Sequence, residues 1–236
     1  MNILAIGNSF SQDATRYLYD IAKKQGIKNF HVTNLYIGGC SLSMHYRNML
    51  GDKKNYGLEV NGVQTGYLIT MKEALLNRDW DIVTIQQVSH LSPNYLTFEP
   101  YLTEICAYVR KMEPKAKIYL QETWAYEKES QRLLSMNFNS PEEMYEKVHA
   151  SYIEASKYTD GIIPSGTLFI NMLHSGIEKI HRDTFHATLG LGRYALSLLW
   201  LHILTGADVT ENTFNDFDEP ITEEDILIAK NCVMNL

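Results

Sequence analysis

Cysteine is scarce in this sequence. Only three cysteines, Cys40, Cys106 and Cys232, occur among the 236 residues. Their number is odd and their spacing is not that of a zinc-binding motif, so neither a disulfide framework nor a structural zinc site is expected. The sequence instead predicts three buried free thiols.

Clusters of basic residues are also absent. The formal net charge is -7, and no stretch concentrates lysine and arginine. Because nucleic-acid binding depends on a basic surface that neutralises phosphates, nucleic acid is not expected as a partner.

Long apolar runs are missing as well. The longest, residues 194–205, falls short of the roughly 20 residues that a membrane-spanning helix needs, so no membrane span is expected. The apolar run at residues 3–6 is too short for a signal peptide and has no basic flank before it. As written, the chain is expected in the cytoplasm. A secreted or periplasmic protein whose signal peptide had been removed would have the same sequence.

The motifs of common cofactor sites are not present. The first glycine turn is not the Gly-x-Gly-x-x-Gly of dinucleotide-binding proteins, and the chain has no P-loop lysine. Among five candidate ligands, only Asp183 and His186 are spaced like metal ligands, and the others are Asp13, His45 and His90. We therefore predict neither a cofactor nor a metal site. The sequence does not define the oligomeric state.

What the sequence does have is a regular alternation of apolar runs and helical patterns. Five short apolar runs are each followed by apolar residues at helical spacing. The runs are residues 3–6, 30–37, 81–87, 117–123 and 161–164. This alternation predicts an α/β protein, a three-layer α/β/α sandwich around a five-stranded parallel sheet of the flavodoxin-like kind. No linker or repeat interrupts it, so one domain over residues 1–236 is predicted.

A hairpin signal lies after the second predicted strand. Asn61 and Gly62 stand between Val60 and Val63, and Asn-Gly is typical of a two-residue hairpin turn. We predict a small hairpin inserted near residues 56–65.

The first apolar run leads directly to a candidate nucleophile. It ends at a glycine, and Ser9 follows two residues later. Ala14, Leu18 and Ile21 then recur at helical spacing. A serine in a tight turn between a strand and a helix lies at the carboxyl edge of a parallel sheet, beside the free N–H groups of the helix start. We predict that Ser9 is a catalytic nucleophile, which requires a base, an orienting acid and an oxyanion site.

Asp183 and His186 are the candidate acid and base. No other of the eight histidines has an aspartate three positions before it. Residues three apart in a turn lie on one side, so the carboxylate can reach the imidazole Nδ1 and leave Nε2 free to face Ser9. The pair follows the last predicted strand and so falls on the same side of the sheet as Ser9. The alternative is an ordinary surface pair.

Three strand ends carry groups that could bind an oxyanion. They are the N–H of Ser9, the N–H of Gly38 or Gly39, and the side-chain amide of Gln86 or Gln87. Neighbouring strand residues point to opposite faces, so one glutamine at most points into the site. The alternatives are simple turn glycines and an amide that bonds to loop backbone.

The combination resembles the SGNH, or GDSL-like, hydrolases. That family has a Gly-Asp-Ser block near the amino terminus, a glycine after the second strand, a Gly-x-Asn-Asp block after the third and an Asp-x-x-His block near the carboxyl terminus. The corresponding stretches here are residues 7–10, 38–39, 86–90 and 183–186, in the same order over nearly the whole chain. The resemblance implies a three-layer α/β/α fold and ester hydrolysis by a Ser-His-Asp triad, here Ser9, His186 and Asp183, without a cofactor.

Two positions depart from the family pattern. Asn8 replaces the aspartate before the nucleophile, and the third block has Gln-Gln where the family has its glycine and asparagine. The family's oxyanion asparagine thus has no match. Gln87, whose longer amide could reach the same point, is the predicted substitute, with Gln86 and His90 as alternatives to it.

The pattern also resembles a subgroup of these hydrolases whose relatives include carbohydrate acetylesterases. Trp124 and Tyr126, after the fourth predicted strand, would suit a platform for a sugar ring. Core aromatics are the alternative. The resulting prediction is a serine esterase acting on a small-molecule or carbohydrate ester, with O-acetylated carbohydrate as the specific form. A lipid or thioester acyl hydrolase and a catalytically inactive glycan- or ligand-binding protein are the competing hypotheses.

Overall fold

The apolar run at residues 3–6 forms the centre of a β-sheet. In a computed structural model that describes residues 1–236, strand β1 (Asn2–Gly7) pairs in parallel with β2 (His31–Tyr36) on one side and with β5 (Ile82–Ile85) on the other. Residues 3–6 are almost completely buried, as expected for a parallel strand that is covered by helices on both faces.

The other elements follow along the chain. The remaining strands are β3 (Tyr56–Val60), β4 (Val63–Ile69), β6 (Lys117–Gln121) and β7 (Gly161–Ile163). The α-helices are α1 (Ser9–Thr15), α2 (Leu18–Lys24), α3 (Leu42–Leu50), α4 (Met71–Leu75), α5 (Tyr101–Met112), α6 (Gln131–Ser135), α7 (Pro141–Ala155), α8 (Ser165–His174), α9 (Leu191–Thr205) and α10 (Glu223–Met234).

Five strands are parallel and lie in the order β2-β1-β5-β6-β7, which is the flavodoxin-like order. The chain passes from β1 to β2 and later returns to the other side of β1 at β5, so the strand order reverses at β1. Open α/β sheets bind ligands at such a reversal, beside the carboxyl ends of the strands. Ser9 follows the carboxyl end of β1 and therefore lies at this position.

The predicted five-stranded sheet is wrong in its strand count. The hairpin is not a separate insertion, because β3 pairs antiparallel with β2 and β4 pairs antiparallel with β3. The sheet therefore has seven strands of mixed orientation. Without the hairpin, the outer edge of β2 would present unpaired N–H and C=O groups, and β3 satisfies them.

The hairpin turn itself lies where the sequence predicts it. Asn61 and Gly62 both have positive φ, as a two-residue turn of this kind requires. The Asn61 N–H also donates to the Val32 carbonyl at 2.8 Å, and the Asn61 side-chain oxygen accepts from the Val32 N–H at 3.0 Å. These two bonds fasten the turn to β2.

Two groups of helices pack against the sheet. Helices α1 and α2 contact each other and α9, α10 contacts α9 and α8, and α3 contacts both α4 and α5. Helix α9 is buried along nearly its whole length, since it packs against α1, α2, α8 and α10. No helix, α9 included, has both the length and the apolar character to cross a membrane.

The hairpin glycines allow a test of how tightly the turn packs. Gly62 and Gly66 have φ of +79° and +78°, where alanine costs about 1–2 kcal/mol. A Cβ at Gly62 would also lie 2.1 Å from the Arg16 carbonyl oxygen, whereas at Gly66 it meets nothing within 4 Å. We expect Gly62→Ala to lower the free energy of unfolding by at least about 1 kcal/mol more than Gly66→Ala, measured by urea unfolding. Equal losses would mean that the turn moves away from Arg16 without cost.

Candidate active site

Asn8 fixes the turn that presents Ser9. Its side-chain oxygen accepts from the Phe10 N–H at 3.0 Å, which caps α1, and from the Gln86 amide at 2.7 Å. Its own amide donates to the Cys40 carbonyl at 3.0 Å. An aspartate at this position would have no N–H to donate to Cys40. The asparagine that departs from the family pattern therefore has a structural role in this chain.

Ser9, His186 and Asp183 form a continuous chain of hydrogen bonds. The Ser9 Oγ lies 2.8 Å from His186 Nε2, and His186 Nδ1 lies 2.7 Å from Asp183 Oδ2. With Nδ1–H donating to the carboxylate, Nε2 is the acceptor for the Ser9 hydroxyl. A hydroxyl placed in this way can transfer its proton to the imidazole as it attacks an electrophile.

The Asp183 carboxylate is held in place by the same residue that it orients. Its Oδ1 accepts from the His186 backbone N–H at 2.9 Å, while Oδ2 accepts from the His186 ring. Partial burial tends to raise the pKa of Asp183, but these hydrogen bonds outweigh burial and lower it below its usual value. The carboxylate is therefore charged at neutral pH and favours the protonated imidazole that proton transfer would produce.

The loop of residues 181–187, called here the histidine loop, is fastened to helix α1. Arg182 Nη1 donates to both carboxylate oxygens of Asp13 at 3.0 Å, and Arg193 Nε donates to Asp13 Oδ1 at 2.9 Å. Asp13 is fully buried and belongs to the helix that starts with Ser9. The nucleophile and the loop that carries the base thus share one ion-paired support.

The other side of the histidine loop is bonded to the segment that follows β6. The bonds join His181 Nε2 to Ala125 O at 3.0 Å, Trp124 Nε1 to Phe185 O at 2.8 Å and Glu127 N to Thr184 O at 2.8 Å. An antiparallel bridge between His181 and Ala187 closes the loop on itself. These contacts hold the loop from both flanks.

A cavity of about 390 Å³ opens above Ser9. Its lining contains Ser9 and His186 together with most of the predicted site residues and several others. These residues are Asn8, Ser9, Phe10, Gln12, Tyr36, Gly38, Gly39, Val88, Ser89, His90, Tyr126, Arg132, Arg182, Phe185 and His186. A larger cavity of about 670 Å³ lies at the opposite edge of the sheet, around Met1 and Trp80, and no serine, cysteine or histidine lines it.

Two of the predicted oxyanion donors line the cavity above Ser9 and have backbone N–H groups without an acceptor. Ser9 is the first residue of α1, and Gly39 has a φ of +63° in the turn after β2. Neither backbone N–H donates to an acceptor within the protein, and the same holds for Gly38. Two N–H groups with no acceptor beside a nucleophile can stabilise a developing oxyanion.

The prediction that Gln87 binds the oxyanion is wrong. Gln87 is fully buried, and its amide donates to the Thr97 carbonyl at 2.9 Å and to the Thr97 hydroxyl at 3.2 Å. Its oxygen accepts from the N–H groups of Leu42 and Val88. The residue thus joins three loops and does not line the cavity. Gln86 does not line it either, because its amide donates to Asn8. His90 does line it.

Of the two predicted substrate aromatics, Trp124 lies outside the cavity. It is fully buried and stacks on Phe10 with ring centroids 3.9 Å apart, so the prediction of a sugar platform is wrong for it. The core alternative describes it correctly. Tyr126 does line the cavity, with its hydroxyl 2.8 Å from the Ser89 hydroxyl.

Arg132 and Phe185 are cavity residues that the sequence did not indicate. Arg132 lies on the short helix α6, far along the chain from both Ser9 and His186, and no motif contains it. Phe185 stands inside the Asp-x-x-His block, which leaves that position open. No group of three His, Cys, Asp or Glu residues is arranged to hold a metal ion.

Known structures share the fold that positions this site. A candidate SGNH hydrolase from Slackia heliotrinireducens has a TM-score of 0.63 at 18% identity, over 86% of this chain and 98% of its own. An acetyl xylan esterase has a TM-score of 0.56 at 13% identity, over 88% and 100% of the two chains. The protein therefore has the fold of the SGNH, or GDSL-like, hydrolases.

The sequence defines the family more narrowly. A family model described as a domain of unknown function, DUF4886, matches residues 2–235, and the chain belongs to this family. A DUF4886 family protein from Bacteroides uniformis is 31% identical, with a TM-score of 0.92 over 100% of this chain and 93% of its own. No match to the sequence was found among curated proteins.

His181 makes the histidine loop sensitive to acid. Burial lowers the pKa of His181 to about 4, from its ordinary value of 6.5, although its bond to Ala125 opposes the shift. Between these pH values the unfolded chain binds a proton that the folded chain does not. The contribution of neutral His181 to stability is therefore complete above about pH 6.5, and up to roughly 3 kcal/mol is lost as the pH falls to about 4.

We expect this loss in urea unfolding measured at several pH values from 7 to 4. His181→Gln should reduce the dependence of the unfolding free energy on pH, and His31→Gln, at an exposed histidine with no ion-pair partner, is the control. An unchanged dependence in His181→Gln would contradict the assignment.

Proposed function

We propose that this protein is a serine hydrolase that cleaves carboxylic esters, with Ser9 as nucleophile, His186 as base and Asp183 as the orienting acid. The observation that carries the proposal is the unbroken chain of hydrogen bonds from Ser9 Oγ through His186 to Asp183, at the wall of a cavity. The SGNH-hydrolase fold supports the proposal, because these three hydrogen-bonded side chains lie at the sheet position where open α/β folds bind ligands.

The reaction proceeds in two displacements. Ser9 Oγ attacks the ester carbonyl carbon while His186 Nε2 takes the hydroxyl proton, and the carbonyl oxygen becomes an oxyanion. The intermediate then expels the alcohol, which takes the proton from His186 and leaves an acyl group on Ser9. Water, deprotonated by His186, attacks the acyl carbon and releases the acid and the free Ser9 hydroxyl.

The oxyanion site consists of the N–H groups of Ser9 and Gly39. Both residues line the cavity, and neither N–H has an acceptor in the protein. Two backbone N–H groups form a sufficient oxyanion hole in serine proteases, so no third donor is needed to replace Gln87. Gly38 and His90, which also line the cavity, remain predicted alternatives as oxyanion donors.

The favoured substrate is a short acyl ester, with acetyl on a carbohydrate as the specific form. Only five of the 15 cavity residues are hydrophobic, which favours a polar alcohol over a long acyl chain. The fold shared with an acetyl xylan esterase supports the same substrate class. Tyr126 is the predicted substrate contact that lines the cavity.

A fluorophosphonate probe tests the nucleophile. We expect the probe to label the peptide that contains Ser9, detected by mass spectrometry, and 4-nitrophenyl acetate to be hydrolysed. Ser9→Ala should remove both the label and the turnover. Ser89→Ala is the matched control, because its hydroxyl also lies in the cavity wall but bonds to Tyr126 and not to a histidine. Absence of labelling in the unmodified protein would favour a binding protein over an enzyme.

The length of the acyl chain distinguishes the proposed esterase from a lipid acyl hydrolase. Because ten of the 15 residues that line the cavity are not hydrophobic, we expect kcat/KM for 4-nitrophenyl acetate to exceed that for 4-nitrophenyl octanoate by at least about tenfold. The leaving group is the same in both esters, and Ser9→Ala gives the background rate. A value of kcat/KM that rises with chain length would overturn the short-acyl assignment while leaving the nucleophile intact.

A further inference from the structure

The cavity above Ser9 is lined by basic side chains and by no acidic ones. Its lining includes Arg132, Arg182, His90 and His186 and contains no aspartate or glutamate. The whole chain, in contrast, carries a net charge of -7. Basic side chains are thus concentrated at the place where a substrate would meet the nucleophile.

Two of these basic side chains already have carboxylate partners. Arg182 is paired with the buried Asp13, and His186 is paired with Asp183. These residues therefore bring little net positive charge to the cavity. Arg132 differs, since no carboxylate lies within ion-pair distance of it.

Arg132 is also alone among the arginines in having no side-chain hydrogen bond. Every other arginine donates at least one hydrogen bond to a protein oxygen. These are Arg16, Arg47, Arg78, Arg110, Arg182 and Arg193. An arginine normally finds such partners because its guanidinium presents five N–H donors. In Arg132 all five are free, on a side chain that lines the cavity.

The free guanidinium is nevertheless held in place. Its central carbon lies 4.1 Å from the centroid of the Phe185 ring. The same ring also packs against the His186 imidazole, with centroids 3.8 Å apart. Stacking on an aromatic face fixes a guanidinium while leaving its N–H edges available for a ligand. Arg132 is thus one aromatic ring away from the proposed base.

The positive charge of Arg132 affects the pKa of His90, which also lines the cavity. Partial burial lowers the pKa of His90, and the positive charge of Arg132 lowers it further. His90 therefore tends to be neutral at physiological pH and does not compete with Arg132 for an anion. Both residues line the cavity.

We infer that Arg132 is a specificity residue that binds an anionic group of the substrate, so that the preferred substrate is an ester that also carries a carboxylate or another oxyanion. This inference rests on the proposed esterase activity. The fork of N–H donors matches the two oxygens of a carboxylate, and a charge-assisted pair of this kind is stronger than a neutral hydrogen bond. A carbohydrate ester with an acid group would supply both the ester bond for Ser9 and the anionic group for Arg132.

A series of aryl acetates that differ in charge tests the inference. The substrates are 4-acetoxybenzoate, its neutral methyl ester, and 4-acetoxyphenyl phosphate, all of which release acetate. The measured quantity is the ratio of kcat/KM for each anionic ester to that for the methyl ester. Taking this ratio in the protein and in each variant cancels the intrinsic reactivity of the leaving groups.

We expect Arg132→Gln to lower the ratio about 10- to 100-fold, mainly through KM, which is the range that charge-assisted hydrogen bonds contribute. Arg132→Lys keeps the charge without the fork and should give an intermediate ratio. Lys128→Gln removes an exposed cation from the same segment, outside the cavity, and should leave the ratio unchanged. The anion with the larger fall identifies the carboxylate or the phosphate as the better ligand.

The outcomes separate the two proposals. If esters are hydrolysed and Ser9 is labelled but the ratio is the same in Arg132→Gln, this inference is wrong and the proposed function stands. An equal fall in Lys128→Gln would also overturn it, since the effect would then come from general surface charge. If no ester is hydrolysed and Ser9 is not labelled, both the proposed function and this inference are overturned.

Discussion

The buried ion pair between Asp13 and Arg182 is the interaction on which the arrangement of the site depends. Ser9 and His186 are 177 residues apart in the chain, yet their hydrogen bond requires placement to within a few tenths of an ångström. Helix α1 meets this requirement because it presents Ser9 at its start and holds Arg182 through Asp13 one turn later. Removing Asp13 would take from Arg182 its carboxylate partner and would also break the bond from Arg193 to helix α1, so this contact cannot be lost without a loss of stability.

The parallel part of the fold could be predicted from the sequence because its central strands, β1 and β5, are buried on both faces and therefore appear as apolar runs. The turn at Asn61 and Gly62 could be predicted for a similarly local reason, since a two-residue turn needs positive φ. The partner of the hairpin could not be predicted. Pairing of β3 with β2 depends on backbone hydrogen bonds that any sequence can make, and the mostly exposed β4 has no apolar pattern that points to a sheet edge.

In the site, the residues that local geometry places were predicted and the residues that distant contacts place were not. A serine after a strand and an Asp-x-x-His turn each fix their own orientation, and the structure brings Ser9, Asp183 and His186 together. The direction of the Gln87 amide is instead set by Thr97, whose position depends on a loop that the sequence leaves undefined. Arg132 belongs to no motif, because its place in the cavity comes from stacking on a ring in another loop.

The hydrogen bonds of Asn8 have a consequence for how the sequence of this family can vary. Through one side chain they join the start of α1, the glycine turn that ends at Cys40 and the strand end at Gln86. Substitutions at positions 8 and 86 are therefore energetically coupled, and their effects will not add. An aspartate introduced alone would restore the common family residue but remove the donor for Cys40. The blocks of this chain are thus adapted to one another and cannot be exchanged one at a time with those of other SGNH-fold proteins.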